Sequence, residues 1–272
     1  MKSFNKKVVV ITGAGSGIGR ALAQNFAKKG AYLAISDLNK DGLAETVQLC
    51  NNTKVYSEIF NVAKKAEFQK FAKNVLDEFG RVDVVINNAG VALGKTKLND
   101  TTYEEFEWLM GINFWGVVYG TKEFLPSLLK QPEAAVVNIS SLFGLAGIGE
   151  QVPYCSSKFA VRGLTESLRM ELLDTNVSVH TVHPGGIKTN IANNARISES
   201  EDQEQAKKVL KNFNKALIHT PEKAAQVIIR GIEKKQEKIM IGFETYVTDV
   251  VTKVLPTSYS KIFDLLGKQA LQ

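Results

Sequence analysis

The sequence predicts an α/β fold, a doubly wound parallel sheet of seven strands with helices on both faces. Three observations predict it. Short, β-branched apolar runs alternate with helical patterns along most of the chain. A glycine-rich turn follows the first run directly, as at a strand-to-helix crossing. The polar residues with chemical potential fall just after strand ends. Strands that are apolar throughout belong to a parallel sheet covered on both faces, and right-handed crossovers wind it in both directions.

Residues 8–11, all Val or Ile, read as the first buried strand. Residues 20–29 fit a helix, with Ala21, Leu22 and Phe26 at helical spacing. A second strand covers 31–36, a helix 43–49, and a third, alternating strand 54–60. Residues 63–79 form an amphipathic helix and 82–86 the fourth strand. Residues 102–129 read as one long helix that ends before Pro132. A fifth strand at 134–139 precedes a second long helix within 152–173. The sixth strand spans 177–182; a helix at 221–235 leads to the seventh at 238–241. No repeat or linker divides the chain, so residues 1–272 read as one domain. A helical excursion is expected near 188–218 and a helical tail over 244–272.

Composition narrows the function. The 272 residues are 44% hydrophobic and 23% charged, which excludes disorder, collagen-like repeats and a disulfide scaffold. A chain of this size builds a large core with no need of metal or disulfide. Lysine and arginine number 34 against 28 acids, a net +6 that suits an anionic ligand such as a nucleotide. No run of five basic residues occurs and aromatics do not interleave with the basic pairs, so no nucleic-acid partner is expected. Two thiols, Cys50 and Cys155, point to a reducing compartment, and the expected location is cytoplasmic. The apolar run after Lys7 is shorter than a secretory signal requires, and no 18-residue apolar stretch predicts a spanning helix.

The first strand runs into Thr12-Gly13-Ala14-Gly15-Ser16-Gly17-Ile18-Gly19-Arg20. Glycines permit a tight turn and close approach of backbone to a pyrophosphate, and the next helix points unpaired N–H groups at that anion. The spacing is neither G-x-G-x-x-G nor a P-loop; it is Gly-x-x-x-Gly-x-Gly through Gly13, Gly17 and Gly19. Asp37 ends the second strand, where an acid accepts hydrogen bonds from an adenosine ribose and repels a 2′-phosphate. Leu38 and Asn39 follow it with no cation, and Ser16 is uncharged, so NAD is favoured over NADP. The alternative makes Asp37 the cap of the next helix.

Tyr154 and Lys158 stand at i and i+4 on a helix and face the same side. Ser141 lies 13 residues before Tyr154, just after the fifth strand. Gly13, Asp37, Asn88, Ser141 and Pro184 all follow strand ends, where ligands of parallel sheets bind.

These residues resemble the short-chain dehydrogenase/reductase family over roughly residues 5–245. The resemblance rests on Thr12-Gly13-x-x-x-Gly17-x-Gly19, Asn87-Asn88-Ala89-Gly90, Asn113, Ser141, Tyr154-x-x-x-Lys158 and Pro184-Gly185, in order and spacing. It implies a Rossmann-type fold and reversible hydride transfer between a nicotinamide and an alcohol or carbonyl. It further implies Tyr154 as acid/base, Lys158 as its partner and ribose ligand, Ser141 as substrate-oxygen ligand and Asn113 as holder of a relay water. Ser16 and Ile18 join the glycines around the cofactor. Asn88 braces the sheet, and Ala89-Gly90 lie against the adenosine half. Asn61-Val62 stand where the family often has aspartate-valine; the Asn61 carbonyl oxygen can still accept from an adenine amino group. Ile187 and Thr189 match positions near the nicotinamide carboxamide. The helices holding Asn113 and Tyr154 form the main dimer contact in related proteins, so a homodimer or homotetramer is expected.

The chemistry accounts for the residue types. Alcohol oxidation removes the hydroxyl proton as hydride leaves carbon. Free tyrosine, with a pKa of ~10, is a poor base at neutral pH. A nearby ammonium is expected to lower that value, and an oxidised nicotinamide to push the same way. Ser141 then fixes the reacting oxygen, with Ser140 the competing choice that spacing disfavours. His180 and His183 lie three apart on a strand and face opposite sides without an acid or cysteine cluster, so no metal site is expected. Cys155 is turned away from the Tyr154 face and reads as packing.

Val91, Leu93, Leu142, Phe143, Leu145, Ile148, Val152 and Ile187 are the expected substrate wall and are mostly apolar, which suits a hydrophobic secondary alcohol or ketone. Ala206, Val209, Leu210, Phe213 and Leu217 make an apolar stripe where the family carries a substrate lid. The tail, divided at Pro256, has three readings: closing the pocket, packing on a partner subunit, or lying on a membrane surface beside Lys253, Lys261 and Lys268. Two other functions stand beside the dehydrogenase: a non-catalytic nucleotide-sensing regulator on this fold, and an epimerase or dehydratase.

Overall fold

The computed structural model describes residues 1, 3–189, 191, 194–197 and 217–263. Its strands are β1 (Val8–Thr12), β2 (Tyr32–Asp37), β3 (Val55–Ile59), β4 (Val84–Asn87), β5 (Ala134–Ile139), β6 (Val177–Pro184) and β7 (Lys238–Ile241). They form one parallel sheet in the order β3-β2-β1-β4-β5-β6-β7. The chain moves outward from β1 to β3, then returns to place β4 beside β1. That reversal opens a crevice at the carboxyl ends of β1 and β4, the place where doubly wound sheets bind ligands.

Alternation along β1 explains the layers. Val9 and Ile11 join Leu22, Phe26, Ile228 and Ile232 on one face. Val8 and Val10 join Phe68, Phe71, Phe124 and Leu128 on the other. The first layer uses α1 (Gly17–Lys28) and α7 (Pro221–Glu233). The second uses α3 (Lys65–Phe79), α5 (Gly116–Leu128) and α6 (Val152–Glu171). Helix α2 (Lys40–Leu49) starts at Asn39, whose side chain accepts from the Gly42 N–H. Helix α4 (Tyr103–Met110) starts with a reciprocal capping box between Thr102 and Glu105.

One expected helix differs. Residues 102–129 are α4, then a π-helical turn at Gly111–Trp115, then α5. The wider turn carries Asn113, which is fully buried and bonded to the main chain of Val91. Single π turns inside α-helices are frequently found at functional sites. Helix α1 also begins earlier than its apolar spacing suggests, because Gly17 and Gly19 give no hydrophobic signal. Beyond Gly242, α8 (Phe243–Val254) begins the tail. Ala206, Val209, Leu210 and Phe213 of the expected lid, and Leu266 and Lys268 of the tail, lie outside the described residues. No helix among the described residues is long and apolar enough to cross a membrane.

A buried acid pins the first strands. The Asp83 carboxylate accepts from the Val8 N–H at 2.9 Å and pairs with Lys7 at 3.0 Å and with Arg81. Both cations reach solvent and can rehydrate if the acid is lost, whereas the Val8 N–H is left buried without its partner. Asp83→Ala is therefore expected to lower the unfolding free energy by about 2 kcal/mol in urea denaturation. An unchanged midpoint would show that the pin carries no weight.

Candidate active site

The glycine turn is built by close approach. Gly13 and Gly17 have φ of +67° and +53°, and a Cβ on Gly13 would lie 2.7 Å from the Ala89 Cα. A Cβ on Gly19 would collide with the Gly13 carbonyl. Asn88 closes this junction: its Nδ2 donates to the carbonyls of Thr12 (2.9 Å) and Gly13 (3.0 Å). The Thr12 hydroxyl oxygen accepts from the Asn88 and Ala89 N–H groups. Ser16 starts α1 without a side-chain cap bond, and no acid stands in the first turn. The helix dipole and its N-terminal N–H groups thus face the crevice uncompensated, which fits a dinucleotide pyrophosphate.

Asp37 lies against the same turn, its Oδ2 accepting from the Gly15 N–H at 2.8 Å. Its Oδ1 accepts from the Asn39 N–H, and Asn39, not Asp37, caps α2. Arg20 supports the turn from behind through the Gly15 carbonyl and the Thr46 hydroxyl. Asn61 Oδ1 accepts from the Ala63 N–H at 3.0 Å, with Val62 next to it and buried. Past β6, the Gly185 N–H donates to the Ile241 carbonyl, and Thr189 reaches the glycine turn: a Cβ on Gly17 would meet its methyl at 3.0 Å. Ile187 is buried beside these residues in the same core layer as α1.

Ser141 follows β5 and caps a short 3₁₀ turn, Leu142–Gly144, by accepting from the Phe143 N–H. Its hydroxyl also acts on the Tyr154 phenol, favouring the ionised form. Ser140 is buried and donates to the Lys158 carbonyl at 2.8 Å, so its hydroxyl is committed to the scaffold. Lys158 is 3% exposed; its Nζ donates to the Ile139 carbonyl at 3.1 Å and stands 5.6 Å from the Tyr154 ring centre. Phe143 packs edge-on against the Tyr154 ring. Asn113 Nδ2 donates to the Ser157 hydroxyl, which donates in turn to the Tyr154 carbonyl. A Cβ on Gly90 would stand 3.3 Å from Asn113 Oδ1 and 3.4 Å from Lys158 Nζ, so a side chain here would crowd both groups.

The protonation energetics reverse one expectation. Burial pushes the Tyr154 phenol up to about 12, and the Ser141 hydrogen bond offsets only part of that. Burial also brings the Lys158 ammonium down to about 8. Desolvation opposes both charged forms in the protein alone.

Sequence reasoning passed over several supports: Ser157, Arg20, Thr46 and His183. Ser157 carried a signal, one helical turn from Tyr154. His183 is fully buried behind Ser141, with Nδ1 2.9 Å from the Ser141 carbonyl, and its Nε2 meets no partner among the described residues. His180 has its own partners, the Gln236 carbonyl and Ser178. Cys155 lines a groove of about 370 Å³ with Ile148, Val152 and Phe159. Leu93, Leu145 and Ile187, expected to face substrate, are buried and back the site, while Val91, Leu142 and Phe143 keep some exposure.

The short chain dehydrogenase family model matches residues 7–200. The chain belongs to the short-chain dehydrogenase/reductase family. SadH of Mycobacterium tuberculosis, named as an oxidoreductase, is 43% identical over 267 residues, covering 96% of this chain and 95% of its own. A short-chain dehydrogenase/reductase of Burkholderia phymatum, solved in complex with NAD, superposes with a TM-score of 0.84 at 29% identity over 96% of each chain. An alcohol dehydrogenase of Thermococcus sibiricus, complexed with 5-hydroxy-NADP, matches with a TM-score of 0.70 at 28% identity, over 86% of this chain and 95% of its own. The protein is thus an oxidoreductase of this family on a Rossmann-type sheet.

The two buried histidines make stability pH-dependent. Burial lowers His180 and His183 from 6.5 to about 4. Between those values the unfolded chain binds protons that the native state refuses, so stability falls as pH drops. Each histidine contributes up to about 1.4 kcal/mol per pH unit. The melting temperature is expected to fall steadily from pH 6.5 to 4.5, with a shallower slope in His183→Leu. Equal slopes for parent and variant would contradict the assignment.

Proposed function

We propose that the protein is an NAD-dependent oxidoreductase that interconverts a hydrophobic secondary alcohol and its ketone, with Tyr154 as general acid/base. One observation carries this reading: Ser141, the Tyr154 phenol and the buried Lys158 gather in one cluster after β5. Gly13, Ser16, Gly17, Ile18 and Gly19 would hold the pyrophosphate, and Asp37 the adenosine ribose. Asn61, Val62, Asn88, Ala89 and Gly90 would line the adenosine half. Tyr154, Lys158, Pro184, Gly185, Ile187 and Thr189 would line the nicotinamide half.

When bound, the oxidised nicotinamide supplies the hydride acceptor and the positive charge that a phenol raised to about 12 needs in order to ionise. Ser141 donates to the substrate oxygen and holds it against Tyr154. Tyr154 takes the hydroxyl proton at its phenolic oxygen, and returns it in the reducing direction. Lys158 stabilises the phenolate, and Asn113, near Gly90 as Lys158 is, would hold the relay water. The partly exposed Val91, Leu142 and Phe143 give the opening an apolar wall, which suits a hydrophobic substrate.

The wider reading keeps residues 1–272 as one domain in a homodimer or homotetramer. Trp115 and Phe159, exposed on the π turn and on α6, lie on the helices expected to meet a partner subunit. Two cysteines in 272 residues, Cys50 and Cys155, favour a reducing, cytoplasmic setting.

A panel of alcohols and ketones, followed at the reduced-nicotinamide absorbance, tests the reaction class. Tyr154→Phe is expected to lower kcat by roughly 10³-fold with NAD affinity retained. Ser141→Ala costs roughly 10²-fold, whereas Ser140→Ala costs stability and spares the chemical step. Activity that survives in Tyr154→Phe would refute the acid/base assignment. In a second measurement, kcat/KM with NAD is expected to exceed that with NADP by about tenfold or more, since the Asp37 carboxylate opposes a 2′-phosphate. Equal or better turnover with NADP would overturn the cofactor reading.

A further inference from the structure

We infer that Glu244 is a positioning residue for the nicotinamide half of the cofactor site, acting through the turn that follows β6. The inference rests on the dinucleotide reading above. Glu244 lies in the first turn of α8, remote in sequence from every residue of the family pattern. Its Oε1 accepts from the Gly186 N–H at 3.0 Å. Two glycines make room for it: a Cβ on either Gly185 or Gly242 would collide with that same oxygen. Gly242 also has φ +101°, a conformation that strains any other residue. The carboxylate therefore fills a hollow that the backbone leaves open on both sides.

The carboxylate also faces His219, whose Nε2 is 3.4 Å from Oε1 and 3.5 Å from Oε2. His219 is laced to the same turn by its main chain. Its N–H donates to the Gly186 carbonyl, and its carbonyl accepts from the Lys188 N–H at 2.8 Å. Residues 185–189 are thus held from below by Glu244 and from the side by His219. Burial raises the Glu244 carboxyl, but the main-chain N–H groups of Glu244 and Gly186, together with His219, outweigh it and hold the group below its ordinary value. The helix N-terminus around Glu244 favours the same charged form.

The contacts continue into the site. Thr189 packs on Gly17 of the phosphate-facing turn, and Ile187 lies buried between the turn and the core. Releasing Gly186 lets Ile187 and Thr189 shift, while Asp37 and Asn61, on the far side of β1, keep their own supports. Loss of Glu244 is therefore felt at the nicotinamide end and spared at the adenosine end.

The test compares Glu244→Ala with Glu244→Gln, whose amide oxygen can still accept from Gly186. NADH affinity is read by fluorescence, AMP affinity by competition, and stability by melting temperature. Glu244→Ala is expected to weaken NADH at least tenfold and AMP less than twofold, and Glu244→Gln to restore NADH to within threefold of the parent. Unchanged NADH affinity in Glu244→Ala would overturn the inference. Equal weakening of NADH and AMP, with a lowered melting temperature, would also overturn it by showing a merely structural role. A parent protein that binds neither NADH nor NADPH would instead sink the dinucleotide reading on which the inference stands.

Discussion

A lysine ammonium buried beside a carbonyl and an aromatic ring is the constraint on which the site depends. Lys158 donates to the Ile139 carbonyl and lies under the Tyr154 ring, and burial alone brings it down to about 8. Taking a cation out of water is expensive unless opposite charge arrives next to it. Tyr154 is the ionisable partner at hand, and burial holds it neutral. The folded protein thus stores a strained ammonium beside a neutral phenol, whose ionised form that cation would favour. An anionic or cationic ligand entering beside them changes that balance more than it would in water, because the local dielectric is low.

The sheet supplies the rigidity this arrangement needs. Strand β5 is buried along its whole length and delivers Ser140 and Ser141 with opposite duties, one tied to the Lys158 backbone and the other turned to the phenol. Beneath them runs a buried polar ladder. Asn87 donates to Asn138 at 2.8 Å and to Thr121 at 3.1 Å, and Asn138 donates to Thr165 on α6. Such a network ties β4, β5, α5 and α6 in one register, since breaking any member strands a buried polar group. On the other side of the crevice, the contact of Gly13 with Ala89 fixes the distance between β1 and β4. Strand spacing thus sets the frame on which the turns at residues 13–19 and 185–189 are held.

Much of this was legible in the residues themselves. Runs of valine and isoleucine mark the strands because a two-sided parallel sheet demands them, and the order of glycines, serine, tyrosine and lysine along the chain marks the strand-end cluster. Less legible were features that depend on geometry between distant segments. Asn113 appeared to sit within one uninterrupted helix; its inward bonds to Val91 go with a π turn that periodicity does not encode. Asp37 had two readings, ribose ligand or helix cap, and the neighbouring Asn39 takes the cap. In the protein alone the Tyr154 phenol is raised rather than lowered, because proximity to an ammonium is visible in spacing whereas desolvation is not. His183 and Glu244 gave no local signal at all, since each acts on a backbone group brought near only by the sheet.

The central claim is that the Tyr154 phenol becomes acidic only when the cofactor charge lies beside it. An ultraviolet difference titration of parent protein against Tyr154→Phe, without and then with saturating NAD, measures this directly. The account predicts no ionisation of Tyr154 below pH 10 in the protein alone, and a transition brought down by about two units or more once NAD is bound. A Tyr154 transition at the same pH in both conditions would contradict it.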